Sequence, residues 1–366
     1  SRTMDAYGPV ASMRVLGCHF RNPPGRNGGG SWGNVDDITD YDYETSFRAG
    51  GGYAIAALAY AARVTYPSDY TKEEYLQAAV SSYDYLYAHN ELYANDGKWN
   101  LVDEYCALDA LVEIYKTTKE IDYLRRARAM AKRIIDRYIA VNETMGYLRV
   151  NDTDRPFFHA ADAGMPVGNL LNYCEIERPP EEKAAVLAVC DKLMRHELFV
   201  TNEVANPFGY ARQFVQHGDG SKTTQFFYPH DVETAPWWQG ENARIASLAT
   251  AARSLSHHTQ DAALAAALRK YEDDQINWVL GLNPFDSCML EGEGRNNIDY
   301  FFEGDRRDFI QCPGGIVNGI TSGLHDEHGI AYYSAPTSEV DDNWRWAEQW
   351  IPHASWYMYA LCMKKI

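Results

Sequence analysis

The sequence lacks the features of several large protein classes. It contains no apolar run of about 18 residues or more, so no membrane-spanning helix is expected. Basic residues are few: 34 Lys and Arg against 51 Asp and Glu give a formal net charge of −17 at pH 7. This charge disfavours nucleic acid or an anionic membrane as a partner. A neutral or cationic ligand is easier to reconcile with it.

Cysteine is present without a metal-binding pattern. The seven Cys residues form no Cys-x-x-Cys pair, and their spacing suggests no zinc site. We therefore expect most of them to be buried as small hydrophobic side chains, and we assign no metal site. The sequence opens with SRTMDAYG, where no signal peptide is recognisable.

Helical periodicity dominates the chain after an irregular start. Residues 1–48 are rich in Gly, Pro, Asn and Arg, whereas apolar residues recur at helical spacing from Gly50 onward. This pattern predicts helices near residues 50–65, 72–91, 101–117, 120–140, 166–175, 180–196, 240–257, 260–281 and 345–364. Several are rich in Ala, which allows an inner ring of helices to pack closely within an outer ring. We predict an all-α toroid of paired helices with residues 1–366 as one domain.

Three long loops, residues 141–165, 197–239 and 282–344, interrupt the helices. Loops of this length are usually functional, and in a toroid they would collect at one face and form a cleft. They carry aromatic residues among Gly, Asn and Pro, as in NPFGYARQF and QFFYPHDVETAPWW. Aromatic faces in such loops stack well on sugar rings, although any single Tyr or Trp can equally belong to the core.

The stretch WGNVDDITDYDYET, residues 32–45, contains five acidic side chains and no basic one. Adjacent carboxylates repel one another and raise one another's pKa values. The stretch is therefore either a solvated helix cap or a catalytic or metal-binding cluster.

Four segments, in chain order, resemble glycoside hydrolase family 9, the inverting cellulase-type enzymes. GGGSWGNVDDITDY and the following GGYAIAALAYAAR resemble the family's Gly-Gly-Trp, Asp-x-x-Asp-Tyr and Ala-rich helix. WWQGENARIASLATAARSL resembles its Trp-Gly-x-Asn helix, and VLGLNPFDSCMLEGEG resembles its Leu-Gly-x-Asn-Pro loop. Glu348, in WAEQWIPHASWYMYAL, lies six residues before Ala354, in a position comparable to that of the family's C-terminal acid.

The resemblance implies an (α/α)6 toroid and a hydrolytic mechanism with two carboxyl groups. Asp40 is expected to be the general base with Asp37 assisting, within the segment 1–48, and Glu348 the general acid. Glu339, in the Ser-Glu-Val of APTSEVDDNW, competes with Glu348 for the role of the acid. The resemblance implies a carbohydrate substrate, a secreted or periplasmic location and no required cofactor, and it allows a structural calcium ion.

Loop residues supply the candidates for substrate binding. They are His159, Tyr210, Arg212, His230, Trp237, Trp238 and Arg295. The sequence departs from the family in three places: no His-His-Arg follows GEGRNN, an extra residue separates Trp32 from the Asp pair, and Ala347 precedes Glu348 where the family has Asn. These departures concern the identity of the sugar more than the chemistry.

Two other functions fit the same pattern. A polysaccharide lyase or sugar epimerase on a helical toroid would use Tyr and His, such as His159, Tyr210 and His230, in place of opposed carboxylates. A non-catalytic carbohydrate-binding protein would keep the fold and bind a glycan without cleaving it.

Overall fold

The computed structural model describes residues 46–65, 67–94, 96–231, 239–298, 312–323, 329–332 and 343–364, and the backbone of residues 14–15, 18–20 and 43–44. Helices dominate this part of the chain, as the apolar spacing predicts. They are α1 Gly52–Ala61, α2 Lys72–Tyr93, α3 Leu101–Thr118, α4 Ile121–Ile135, α5 Met165–Ile176, α6 Pro180–Asn202, α7 Asn242–His258, α8 Ala262–Val279, α9 Trp344–Ala347 and α10 Ile351–Met363. No helix among these residues is long and apolar enough to cross a membrane.

Short antiparallel strands join some of the helices. They are β1 Arg14–Val15, β2 Cys18–Phe20, β3 Tyr43–Glu44, β4 Tyr138–Ala140, β5 Gly146–Leu148, β6 Gln213–Gln216 and β7 Lys222–Gln225. The sheet orders are β1-β2-β3, β4-β5 and β6-β7. The last two hairpins lie in or next to loops that we predicted to be long, so these loops have structure of their own.

Three predicted helices differ clearly from the structure. The predicted helix 180–196 continues to Asn202 as α6. The predicted helix 120–140 stops at Ile135, and the chain continues into the β4-β5 hairpin, in whose turn Asn142 accepts hydrogen bonds from the N–H groups of Thr144 and Met145. The predicted helix 345–364 is broken between α9 and α10. Pro352 fits only the first turn of a helix, so α10 begins at Ile351.

Two layers of helices are evident from their contacts and burial. The helices α1, α3, α5, α7 and α10 pack against one another in that order, while α2, α4 and α8 pack against α1, α3 and α7 respectively. The rings of Tyr53 in α1 and Trp356 in α10 lie 6.3 Å apart, so the first and last inner helices also meet. An all-α architecture is confirmed. The six-hairpin toroid and its cleft stay predictions, since residues 299–311 and 333–342 lie outside the described part.

The start of α3 is fixed by a reciprocal cap that also holds the start of α1. The Asn100 side chain accepts from the Val102 and Asp103 N–H groups, and Asp103 accepts from the Asn100 N–H at 3.1 Å. Asp103 also accepts from the Arg48 backbone N–H at 3.1 Å and from Arg48 Nε at 2.8 Å. This buried ion pair places the residues before α1 beside the first turn of α3.

Close contact between inner helices requires glycine at Gly52. A Cβ atom at this position would lie 2.6 Å from both Cβ and the carbonyl oxygen of Cys106 in α3. The backbones of α1 and α3 therefore approach too closely for any other residue.

We predict that Gly52→Ala destabilises the protein by about 1 to 3 kcal/mol, because α1 must move away from the α3 backbone. Urea unfolding followed by circular dichroism measures the effect. Gly168→Ala in α5 is the matched control: its Cβ would meet only Met165 Cε, at 3.6 Å. Its helix propensity should raise stability by about 0.5 to 1 kcal/mol. Equal effects of the two substitutions would contradict the packing argument.

Candidate active site

Asn318 joins the segments that surround Glu348. Its backbone N–H donates to the Glu348 carbonyl at 2.8 Å, and its backbone carbonyl accepts from the Asn242 N–H at 3.3 Å. Its side-chain Nδ2 donates to the Trp344 carbonyl at 2.6 Å, and its Oδ1 lies 2.7 Å from His353 Nε2. Because Asn318 is fully buried, these bonds hold the chain before α10 against the start of α7.

Glu348 itself ends α9 in an extended conformation and is partly buried. Trp346, two residues earlier, is in the interior. Ile351, three residues later, is 77% exposed. Glu348 is therefore held at the edge of the core, directly before α10.

The same loop, residues 312–323, also reaches His230. Ser322 Oγ lies 3.2 Å from His230 Nε2, and the Ser322 carbonyl accepts from Nη2 of the buried Arg345 at 2.8 Å. The Arg345 carbonyl in turn accepts from the Gly240 N–H at 2.8 Å. Two residues predicted from separate loops, His230 and Glu348, are thus tied to one segment.

His159 lies in the turn before α5, and Nδ1 of its ring accepts from the N–H groups of Ala161 and Asp162 at 3.0 and 2.8 Å. Its proton therefore resides on Nε2 when the ring is neutral. Asp162, which sequence reasoning missed, accepts from Trp356 Nε1 of α10 at 3.1 Å. The only sequence signal for it was its place just ahead of a predicted helix. The starts of α1, α5 and α10 consequently converge on Tyr53, Asp162 and Trp356.

Comparisons with known proteins bear on the fold. Neither a protein-family model nor a curated protein matches the sequence. Endoglucanase CelQ from Clostridium thermocellum, solved with cellotriose, is 17% identical with a TM-score of 0.55, over 89% of this chain and 49% of that one. The cellulase Cel9M of C. cellulolyticum is 13% identical with a TM-score of 0.54, over 88% of this chain and 64% of that one. A metagenome-derived glycoside hydrolase family 9 endoglucanase is 15% identical with a TM-score of 0.55, over 96% of this chain and 58% of that one.

The fold of this chain is similar to that of these endoglucanases. The resemblance drawn from the motifs is confirmed for the fold. The chain spans about half to two thirds of the length of these neighbours, from 49% to 64%. The match extends over most of this chain, so the shared part includes its helical core.

Within this fold, two residues that we predicted to bind substrate lie in the interior. Tyr210 is 2% exposed, and its ring centroid is 4.5 Å from that of Trp278. Arg212 is 5% exposed and donates to the carbonyls of Val200 and Thr224 at 2.7 and 2.9 Å. Their burial argues against direct contact with substrate, and both stabilise the packing of the loop that follows α6. The aromatic pattern of this loop reports core packing at Tyr210.

The remaining candidates divide into one surface residue and a group outside the described residues. Arg295 is exposed and forms an ion pair with Asp286 at 2.8 Å. Asp37, Asp40, Trp237, Trp238 and Glu339 lie outside the described part of the chain. No group of three or more His, Cys, Asp or Glu side chains among the described residues is arranged to hold a metal ion. A structural calcium ion stays a prediction.

A cavity of about 90 Å³ lies beside His159, between α5, α6, α7 and the hairpins. Phe157, Phe158 and Phe214 form apolar walls, and Glu197 contributes a carboxyl group. Tyr271 Oη donates to Glu197 Oε1 at 2.8 Å, and burial raises the pKa of Glu197 to about 7. Glu197 is therefore largely protonated at slightly acidic pH.

Glu197→Gln tests this protonation. The folded protein keeps a proton on Glu197 that the unfolded chain releases above about pH 4.5, so wild-type stability falls as pH rises from 4.5 to 7. The amide cannot ionise and keeps the acceptor for Tyr271. We expect the variant to match the wild type near pH 4.5 and to exceed it by roughly 1 to 3 kcal/mol at pH 8. Urea unfolding at both values measures the difference. A constant difference across pH would contradict the assignment.

His353 predicts the opposite pH dependence. Its Nε2 must donate to Asn318 Oδ1, because an amide oxygen is only an acceptor, and burial lowers its pKa to about 3. The folded state thus excludes a proton that the unfolded chain binds below about pH 6.5. The contribution of neutral His353 to stability is fully present above this pH. The free energy of unfolding then falls by roughly 1.4 kcal/mol per pH unit as the solution is acidified toward pH 3.

His353→Gln keeps a donor without a titrating ring, so we expect its stability to fall less steeply than that of the wild type between pH 6.5 and 4. Urea unfolding at half-unit pH steps measures both slopes. His89→Gln, at a less buried position in α2, is the control. Parallel slopes for the wild type and His353→Gln would show that His353 is not held neutral.

Proposed function

We propose that the protein is a glycoside hydrolase that cleaves a polysaccharide or oligosaccharide with inversion of configuration. The observation that carries this proposal is the position of Glu348, anchored by Asn318 directly before α10 in a fold shared with endoglucanases. The net charge of −17 favours a neutral substrate over a polyanion.

We assign the general acid to Glu348 and the general base to Asp40, with Asp37 helping to hold the attacking water. The base removes a proton from water while the acid protonates the leaving oxygen on the opposite side of the sugar. Inversion requires the two carboxyl groups to stand about 6.5 to 9.5 Å apart, which leaves room for the water.

Contacts at both ends of the chain support this pairing. Asp40 precedes α1, and the buried ion pair of Arg48 with Asp103 fixes the chain shortly after it. Glu348 precedes α10, and α10 meets α1 through Trp356 and Tyr53. Both acids are thus expected at the same end of two neighbouring inner helices. We further propose that the complete chain forms the six-hairpin toroid and acts outside the cytoplasm, as a secreted or periplasmic enzyme.

The lyase or epimerase alternative has less support. Tyr210, its candidate Tyr, is buried among aromatic rings. Nδ1 of His159 already accepts two backbone hydrogen bonds, so this nitrogen is not available as a base. Only a measurement of turnover distinguishes a hydrolase from a protein that binds carbohydrate without cleaving it.

Turnover on a panel of neutral polysaccharides, with product anomers followed by NMR, tests the proposal. We expect inverted products and no unsaturated product that absorbs in the ultraviolet. Asp40→Asn and Glu348→Gln should each lower kcat by about 10² to 10⁴-fold with the fold intact, because each removes one proton-transfer group.

Asp42→Asn, in the same acidic stretch, and Glu339→Gln, the competing acid, are the matched controls. Both should keep most of the activity. Loss of activity in Glu339→Gln with retention in Glu348→Gln would transfer the role of the acid to Glu339. A retained anomeric configuration would overturn the inverting mechanism.

A further inference from the structure

A groove on the outer helices has the properties of a ligand site. It has a volume of about 460 Å³ and lies between the C-terminal part of α2, the chain before α3, and α4. Its chief lining residues are Tyr87, His89, Asn90, Glu91, Trp99 and Arg133. We refer to these six residues as the Trp99 groove. None of them belongs to the catalytic residues proposed above.

Tyr87 gives the groove a rigid aromatic face. The residue is 50% exposed, although its ring is held on two sides. The buried ring of Tyr83 stacks on it at 6.1 Å and 19°, and Trp99 meets it edge-on at 5.8 Å. An exposed aromatic face that is already immobilised loses little conformational entropy when a ligand stacks on it.

Two hydrogen-bond donors border this face. Asn90 is 1% exposed; its Oδ1 accepts from the Phe47 N–H at 2.8 Å, but its buried Nδ2 has no partner among the described residues. A buried donor without a partner costs stability, which a ligand acceptor would recover. The Trp99 indole N–H has no hydrogen-bond acceptor within the described part of the chain, so it offers a second donor.

The charges in the groove favour a neutral ligand. The Arg133 guanidinium lies 4.9 Å above the Trp99 ring; its Nε donates to Glu104 Oε1 at 3.0 Å, and its Nη2 lies 3.0 Å from the same oxygen. Its charge is partly offset there, since Glu104 also pairs with Arg137, and Glu91 adds a carboxylate at the rim. An anionic ligand would meet this carboxylate and the negative field of the whole chain.

We propose that the Trp99 groove binds a neutral glycan, with one sugar ring stacked on Tyr87 and its hydroxyl groups bonded to Asn90 Nδ2 and Trp99 Nε1. Sugar rings present apolar C–H faces and polar edges, which match an aromatic platform bordered by donors. The site lies on the outer helices and would hold a glycan independently of cleavage. The inference therefore stands or falls separately from the proposed hydrolase activity.

Affinity electrophoresis in gels that contain hydroxyethylcellulose, xylan, mannan or soluble starch, with dextran sulfate as an anionic control, tests the proposal. We use the Glu348→Gln protein as background so that the glycans stay intact. Tyr87→Ala should weaken binding at least tenfold for one or more of the neutral glycans. Tyr87→Phe keeps the aromatic face and should change it less than about twofold. Tyr60→Ala, at an equally exposed Tyr of α1, should change nothing.

Three outcomes would overturn the proposal. Unchanged retardation of Tyr87→Ala would place all glycan binding elsewhere, and retardation by dextran sulfate alone would indicate charge-driven binding. If no neutral glycan retards the protein, the Trp99 groove does not bind a neutral glycan. Because none of these measurements depends on turnover, an inactive protein that binds through Tyr87 would contradict only the hydrolase proposal.

Discussion

The buried ion pair between Arg48 and Asp103 fixes how the chain enters the helical core, and the geometry of the candidate site depends on it. Two charges out of water are tolerated only when each has several good hydrogen bonds. Asp103 meets this condition by accepting from both the backbone and the side chain of Arg48 and from Asn100. The described residues before α1 therefore have one position relative to α3.

Asn318 has the same role at the other end of the chain. Apolar packing of α7 against α10 would allow the segment between α9 and α10 to slide, because hydrophobic contacts are not directional. The hydrogen bonds of Asn318 to Trp344, Glu348 and Asn242 remove this freedom. Gly240 permits the close approach, since a Cβ there would lie 2.2 Å from the Asn318 carbonyl oxygen. Polar anchors thus convert a helical scaffold into defined positions for side chains.

The helices were predictable because apolar residues recur with a period of 3.6 residues, which can be read from the sequence alone. The β4-β5 hairpin was not, because its turn depends on the hydrogen bonds of one side chain, Asn142, and such turns have no periodic signal. Asn318, Asp162 and Glu197 were missed for a related reason. Each acts through partners 26 to 194 residues away in sequence or through burial, and neither is visible in a local motif. Tyr210 was predicted to bind substrate because the sequence does not distinguish an aromatic residue exposed in a loop from one that packs in the core.

Acidic residues that hold the fold differ from Glu348, the proposed general acid, in the atoms through which they are anchored. Asp103 and Glu241 hold the fold through their carboxylate oxygens, which accept from Arg48 and from Gln213 and the Tyr228 N–H. Neutralising either one would leave a buried cation or donor without its partner, so loss of activity there would report loss of structure. Asn318 instead holds Glu348 through its backbone carbonyl. This bond holds the backbone of Glu348 whether or not its carboxyl group carries a charge.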